Sequence, residues 1–290
     1  MKYNYLMVVL LASLCSTLQA QKKDTTQVNV KIVTGTKDSI HEVETHVTYS
    51  QSAKKEKNKT AWFQTYDLGF NNFSDHSNYA ASNAAGFTSN FNENSMDLKS
   101  GKSINVGIWI FEQLVPIYKH NINLYYGVVL DLNNYRFKNN VRFNKNGTAA
   151  TPTIYIDETA NNHYKKTKLA ADYIKIPLML NFNFSKKSPT QIKSVYKTEQ
   201  KSVSYSFGSN KGYGLSIGGS IGYLYTARNK FVNDLDGKKK VKDDFGLRPW
   251  KISYEAEVNL GSISFYGSYS PNSLFKNHLD MNPYTFGIRF

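Results

Sequence analysis

Charged residues recur between apolar residues in several segments of this 290-residue chain and are its first candidates for chemistry. In an extended strand, strict alternation puts the apolar and the polar side chains on opposite faces. Charges that share an enclosed face must pair or stay hydrated. We therefore expect the polar faces to carry a structural charge network, with the selectivity lining of a pore as the alternative. The residues are Asp67, Asp131, Lys175, Glu255, Glu257 and Arg289.

Three other groups of residues resemble chemical motifs without completing them. The glycines between 214 and 222 are not followed by a helix that could receive a phosphate, so a bend in a strand explains them better. The aspartates before Gly237 lack the full ligand spacing of a calcium loop, and Asp236-Gly237 is a common hairpin turn. The six histidines are scattered, and no nucleophile–base spacing is present. We expect no enzyme activity, no cofactor and no metal site.

The first 20 residues have the features of a secretory signal peptide. Lys2 supplies a positive charge, Leu6 to Leu14 form an apolar stretch, and Ala20 is a small residue at the end. Cys15 follows Leu14, whereas a lipoprotein signal needs a small residue there, so we expect cleavage after Ala20 and a mature chain without cysteine. The net charge of +14 would suit nucleic acid or anionic lipid. Export argues against nucleic acid and favours lipid headgroups.

Eight later segments alternate apolar and polar residues with a period of two, which predicts β-strands. Most of them approach the length that a tilted strand needs to cross a bilayer. We predict an all-β fold, a transmembrane antiparallel up-and-down β-barrel of eight strands in residues 61–290. Residues 21–60 offer little apolar surface and are predicted to be a flexible periplasmic leader, with a weak hairpin as the alternative. The predicted strands are 66–70, 104–110, 122–132, 174–184, 215–225, 250–260, 263–269 and 284–290.

The connections between these segments alternate in length. Residues 75–100, 136–167, 227–247 and 271–280 form long or moderate polar loops, whereas 117–121 and 261–262 are short. Long loops on one side and short turns on the other are typical of transmembrane barrels. Asn146-Gly147 predicts a hairpin that joins Val141–Phe143 to Ile154–Ile156.

The basic connection 185–212 breaks this alternation because it is long where a short turn is expected. It contains a hairpin pattern whose arms have about seven residues, fewer than a spanning strand needs. We predict a hairpin projecting into the periplasm. A ten-stranded barrel that includes both arms is the alternative.

Aromatic residues concentrate near the ends of the predicted strands, where barrels carry girdles at the two membrane interfaces. The polar face consists of small or polar residues, as the interior of a narrow barrel requires. Both features favour a membrane barrel over a soluble sandwich. The predicted girdle residues are Trp62, Phe73, Tyr118, Tyr135, Phe184, Tyr213, Tyr225, Trp250 and Tyr269.

The last strand ends on an aromatic residue in register with three further apolar residues: Tyr284, Phe286, Ile288 and Phe290. This ending resembles the terminal signal by which assembly machinery recognises Gram-negative outer-membrane barrels. The composition, rich in Asn, Lys and Tyr, and the strand from Tyr173 to Leu178 resemble the PorT-like outer-membrane β-barrel family of the Bacteroidetes. The resemblance covers about residues 62–290 and implies the outer membrane, with both termini in the periplasm. It implies no defined biochemical activity.

These features predict a non-enzymatic outer-membrane barrel that is structural or accessory to envelope integrity, secretion or assembly. The alternatives are a small pore or solute-binding barrel and, third, an outer-membrane barrel enzyme. The expected partners are outer-membrane lipid and lipopolysaccharide, the barrel-assembly machinery with periplasmic chaperones, and secretion-system components.

Overall fold

The computed structural model describes residues 30–36, 39–45, 59–118, 121–145, 147–148, 151–185 and 213–290. They form fifteen β-strands and one short α-helix, α1 (Tyr79–Ala84). No helix in these ranges is long and apolar enough to cross a membrane. The strands are β1 (Val30–Thr36), β2 (Ser39–Thr45), β3 (Lys59–Trp62), β4 (Tyr66–Asp75), β5 (Thr88–Ser89), β6 (Ile104–Tyr118), β7 (Ile122–Arg136), β8 (Val141–Phe143), β9 (Ile154–Ile156), β10 (Tyr164–Asn183), β11 (Tyr213–Asn233), β12 (Gly237–Lys242), β13 (Trp250–Leu260), β14 (Ile263–Tyr269) and β15 (Met281–Arg289).

Eight of the strands pair into a closed antiparallel ring in the order β10-β7-β6-β4-β15-β14-β13-β11, and β11 pairs back onto β10. The all-β prediction is confirmed, and each of the eight predicted strands is a member of the ring. Because β10 and β11 pair directly from Tyr164↔Asn233 to Asn183↔Gly214, the wall has no place for two further strands, and the ten-stranded alternative is wrong. The proposed arms of that alternative lie outside the described residues.

Alternation along the ring strands separates two faces of opposite chemistry. On β13 every second residue is exposed, and the exposed set includes Trp250, Ile252 and Tyr254. The intervening residues are buried, and they include Lys251 and Glu255. The polar side chains therefore point into the ring and the large apolar side chains point out of it.

Four long connections, 76–103, 137–163, 234–249 and 270–280, leave the ring at one end, here called the loop end. The short turns at 119–121 and 261–262 lie at the opposite end, here called the turn end, where the long connection between β10 and β11 also begins and ends. The connections at the loop end do not stay extended polar loops. They fold together over a hydrophobic cluster, called the cap, whose core includes Tyr79, Phe137, Phe143, Phe245 and Phe275. The predicted girdle residue Tyr135 is 1% exposed in this cluster and Phe73 packs against it, so placing these two in the girdle was wrong.

Two predicted hairpins are part of the loop end. β8 pairs with β9 from Val141↔Ile156 to Phe143↔Ile154, with the predicted bounds. β11 runs into β12 through a turn at Asp236-Gly237, where Gly237 adopts a positive φ of 67°. β12 extends the sheet of the ring, whereas β8 and β9 form a separate three-stranded sheet with β5.

The segment expected to be a leader contains a separate two-stranded sheet. β1 and β2 pair from Val30↔Thr45 to Thr36↔Ser39. This sheet belongs to a different unit of the chain from the ring.

Candidate functional site

Two buried ion pairs cross the interior of the ring. Near the loop end, the Lys251 Nζ lies 2.7 Å from the Asp131 Oδ2. Halfway down, the Lys175 Nζ lies 3.2 Å from the Glu255 Oε1, which also accepts a hydrogen bond from the Ser220 hydroxyl at 2.7 Å. The first pair joins β13 to β7 and the second joins β13 to β10, and neither pair of strands is adjacent in the ring. The network therefore ties separate parts of the wall together from inside.

Arg289 is the centre of the network nearer the turn end. Its guanidinium donates to both Asp67 carboxylate oxygens, at 2.6 and 3.0 Å, and to Glu257 at 2.5 Å. The same group lies 4.3 Å above the Trp109 ring, and the Trp109 indole donates to Asp67 at 3.1 Å. The fork geometry and the stack hold a fully buried cation on two carboxylates.

A tyrosine bridges the wall beside this centre. Tyr266 lies across Gly287 and Gly69, which occupy successive strands in the same cross-strand row. Its hydroxyl donates to Asn105 Oδ1 at 2.8 Å, and Asn105 in turn donates to Asp131 at 2.7 Å. A Cβ on Gly69 would lie 2.5 Å from the Tyr266 oxygen, so glycine is required for this ring to lie flat on the wall.

Amides and hydroxyls close the turn end of the interior. Asn181 receives a hydrogen bond from Asn123 at 3.1 Å and donates to Ser216 at 3.0 Å. Asn259 donates to the same serine at 3.2 Å and accepts from Ser264 at 3.0 Å. Hydrogen-bonded side chains therefore occupy this layer of the interior.

All six residues of the predicted charge network are buried, with exposures of 5% or less. The structure groups them as Lys175 with Glu255, Arg289 with Asp67 and Glu257, and Asp131 with a lysine that the pattern left out. That lysine is Lys251, which has the same parity as Glu255 and Glu257 on β13, so the alternation alone could have found it.

Glu112 is a second interior residue that the predicted network did not include. The period-two alternation could not have identified it. A bulge between Trp109 and Phe111 shifts the register of β6. The shift turns Glu112 inward, where it accepts hydrogen bonds from Thr65 at 2.7 Å and Tyr125 at 2.6 Å. Without the bulge, Glu112 would have faced out with Ile104.

The four residues of the predicted assembly signal belong to the last strand and its end. Phe286, Ile288 and Phe290 are exposed on the outer face, and Tyr284 is half-buried in the same row of alternate residues. Phe290 exchanges backbone hydrogen bonds with Tyr66, at 2.9 and 3.0 Å. The terminal residue therefore completes the seam at which the first and last strands of the ring meet.

The remaining sequence candidates have structural positions. The glycines of the 214–222 run lie on β11, and a Cβ on Gly218 would lie 2.2 Å from the Leu178 carbonyl oxygen. Asp236 accepts from Asn233 at the hairpin turn. Among the described residues, no group of three or more His, Cys, Asp or Glu side chains is arranged to hold a metal ion.

The arrangement defines an all-β protein with a closed ring of eight strands, a polar buried interior and an apolar outer surface. Comparison of the chain with known protein families, curated proteins and solved structures gives no match.

Proposed function

We propose that this protein is an outer-membrane β-barrel with a closed interior, structural or accessory to envelope integrity, secretion or assembly. On this proposal the apolar outer surface faces lipid and both chain ends lie in the periplasm. The resemblance to the PorT-like family remains a prediction that agrees with it.

The inverted burial of the ring carries the proposal. On β13, Tyr254 is 64% exposed while Glu257 is 1% exposed. A soluble protein buries its large apolar side chains and leaves its acids in water, because an isolated charge is costly to desolvate. The inversion continues around the wall through Leu178, Ile217 and Phe286. A lipid environment removes the contradiction, since the outer face then meets hydrocarbon.

The spacing of exposed aromatic residues agrees with a bilayer. On β11, Tyr213 and Tyr223 are both exposed and lie ten residues apart, which is about 33 Å along a strand. For a strand tilted by about 40° this corresponds to roughly 25 Å along the membrane normal, the height of the apolar band of outer-membrane barrels. Trp250 packs edge-on against Tyr223, with ring centroids 4.9 Å apart, and adds a second aromatic residue to the row nearer the loop end.

The filled interior favours a structural or accessory role over a pore. Eight strands leave an interior just wide enough for side chains, and here Trp109, Tyr125 and Arg289 occupy it with 2% exposure or less. The cap covers the loop end. We therefore expect no steady single-channel conductance in planar bilayers.

A charge placed on the outer face tests the proposal. Ala256 lies at the middle of β13 on the exposed face, between Ile217 and Gly267. If this face meets lipid, Ala256→Arg should lower the free energy of unfolding by about 2–4 kcal/mol. In a soluble protein the same exposed substitution should change it by less than about 0.5 kcal/mol. Leu235→Arg, at an exposed hairpin tip, is the control and should have little effect.

Membrane fractionation supplies the second readout. The unaltered protein should remain with the outer membrane after a urea wash and should show a heat-dependent gel shift. Two results together would overturn the proposal: recovery in the soluble periplasmic fraction, and an Ala256→Arg variant whose free energy of unfolding is unchanged.

A further inference from the structure

Four cationic residues form one continuous row across four neighbouring strands at the loop end. Arg136 on β7 is directly opposite Lys168 on β10, Lys168 is opposite Lys230 on β11, and Lys230 is opposite Lys240 on β12. Directly opposite residues on antiparallel strands share a face. The neighbours of Lys168 and Lys230 along their strands are buried in or beside the cap, so the row lies on the outer face.

No acidic residue within the described ranges neutralises this row. Lys168 donates to the Asn134 amide oxygen at 2.5 Å and Arg136 donates to the Lys165 carbonyl at 2.9 Å, and both acceptors are uncharged. In the described part of the chain none of the four residues forms an ion pair with a carboxylate. Lys238 and Lys242 flank Lys240 on β12 and are exposed, which adds to the positive potential.

Like charges directly opposite each other destabilise a sheet. Other basic residues of the loop end have an acidic partner: Arg228 pairs with Asp172, and Arg142 lies 3.6 Å from Asp157. The row contains three directly opposite pairs of like charge on one face, and this arrangement is explained if an anion from outside the chain neutralises it.

The outer face below the row is apolar on the same strands. Ile174 and Leu178 are exposed on β10, and Tyr223 and Tyr225 are exposed on β11. Lys168 precedes Ile174 by six residues on β10, which is about 20 Å along the strand or roughly 15 Å along the normal of a tilted barrel. Flexible lysine side chains can extend back towards the interface. The row is thus continuous with the surface that we assign to lipid.

We propose that the row Arg136–Lys168–Lys230–Lys240 binds the phosphate groups of glycolipid headgroups in the surrounding outer leaflet. The proposal rests on the proposed function, because it needs the outer face to be in a membrane with the loop end outward. Phosphates fit the row since lysine and arginine bind them through charge-assisted hydrogen bonds.

The test uses the purified full chain in neutral detergent micelles and lipopolysaccharide without O-antigen, compared with the same material after removal of its phosphates. Native mass spectrometry gives the affinity for each. We expect a clear preference for the phosphorylated form. The triple variant Lys168→Gln, Lys230→Gln, Lys240→Gln should weaken binding of that form by roughly 100-fold, at about fivefold for each lysine. The preference should also fall with added salt.

A matched triple variant removes the same charge from the same end without touching the row: Lys138→Gln, Lys145→Gln, Lys276→Gln. It should keep the affinity within about threefold of the unaltered protein. Equal losses in the two triple variants, or equal binding of the two lipid forms, would overturn the proposal. Competition by millimolar inorganic phosphate as effective as the lipid would also overturn it, in favour of a free-phosphate site.

Failure of this inference is distinguishable from failure of the proposed function. A chain that shows the heat-dependent gel shift in micelles but no lipid preference refutes the row and leaves the barrel. A chain that stays folded and monodisperse without detergent refutes the barrel itself, and the row with it.

Discussion

Replacing Lys175 by methionine should destabilise the protein strongly, because the substitution leaves the Glu255 carboxylate buried without its cation. The two groups are 3.2 Å apart, with side chains 5% and 4% exposed. Losing one partner of a buried pair typically costs about 3–5 kcal/mol. Glu255→Gln should cost less than Lys175→Met, since glutamine keeps an acceptor for Ser220 and Asp131 lies near the lysine charge.

The size of the coupling between the two residues distinguishes a dry interior from a wet one. At 3.2 Å, two unit charges attract by about 1.3 kcal/mol in bulk water and by about 5 kcal/mol at an effective dielectric constant of about 20. The double variant Lys175→Met, Glu255→Gln removes both charges together. We therefore expect it to recover at least about 2 kcal/mol relative to the sum of the two single variants.

Urea titration of the protein in lipid vesicles, followed by the folded band on a gel, measures all three variants. The exposed pair Lys138 and Asp97 is the control, at 2.9 Å with side chains 57% and 43% exposed. Its coupling, measured with Lys138→Met and Asp97→Asn, should be below about 1 kcal/mol. A Lys175–Glu255 coupling no larger than the control would mean that water fills the interior, and it would refute the closed barrel.

Three further perturbations test the seam, the terminus and the cap. Gly287→Ala should prevent stable closure, since its Cβ would lie 2.3 Å from a backbone oxygen of the neighbouring strand, whereas Gly267→Ala meets nothing closer than 3.8 Å and should fold normally on a heat-shift gel. Deleting Phe290 should leave export intact but reduce outer-membrane yield on fractionation; normal yield would remove the assembly signal. Burial raises the pKa of Asp157, which follows β9, but hydrogen bonds from threonine and tyrosine and a nearby arginine outweigh the burial, so that the pKa is lowered. This stabilising contribution is present above the ordinary aspartate pKa of about 4 and is lost as the pH falls through the lowered value. Protection factors for hydrogen exchange in the β8–β9 hairpin, which correct for the slower intrinsic exchange in acid, should therefore fall in acid, and Asp157→Asn should lower them already at neutral pH.

The ring was predictable because one signal, period-two alternation, sets both the strands and their faces. Lys175 and Glu255 were assigned inward from parity alone, and both are buried. Parity fails where the register shifts, as at the bulge before Glu112. A bulge depends on the fit of neighbouring strands, and one sequence does not encode that fit in its local pattern.

The cap could not be predicted for a different reason. Its core draws single residues from separate connections, such as Tyr79, Phe143 and Phe275. Each lies in a different, mostly polar connection, and their proximity follows only from ring closure. Tyr135 was therefore assigned to a membrane girdle, although the cap encloses it.

The lipid-facing outer surface is the central claim, and site-directed spin labelling along β13 tests it most directly. Cys15 is the one cysteine of the chain and lies in the predicted signal peptide, so single cysteines at positions 251–259 can be labelled one at a time in vesicles. We predict that collisions with oxygen, which concentrates in hydrocarbon, are frequent at 252, 254, 256 and 258, and that collisions with a water-soluble nickel chelate are rare there. Positions 253, 255 and 257 should exclude both reagents. Frequent nickel collisions at the even positions would contradict the account, because they would place that face in water.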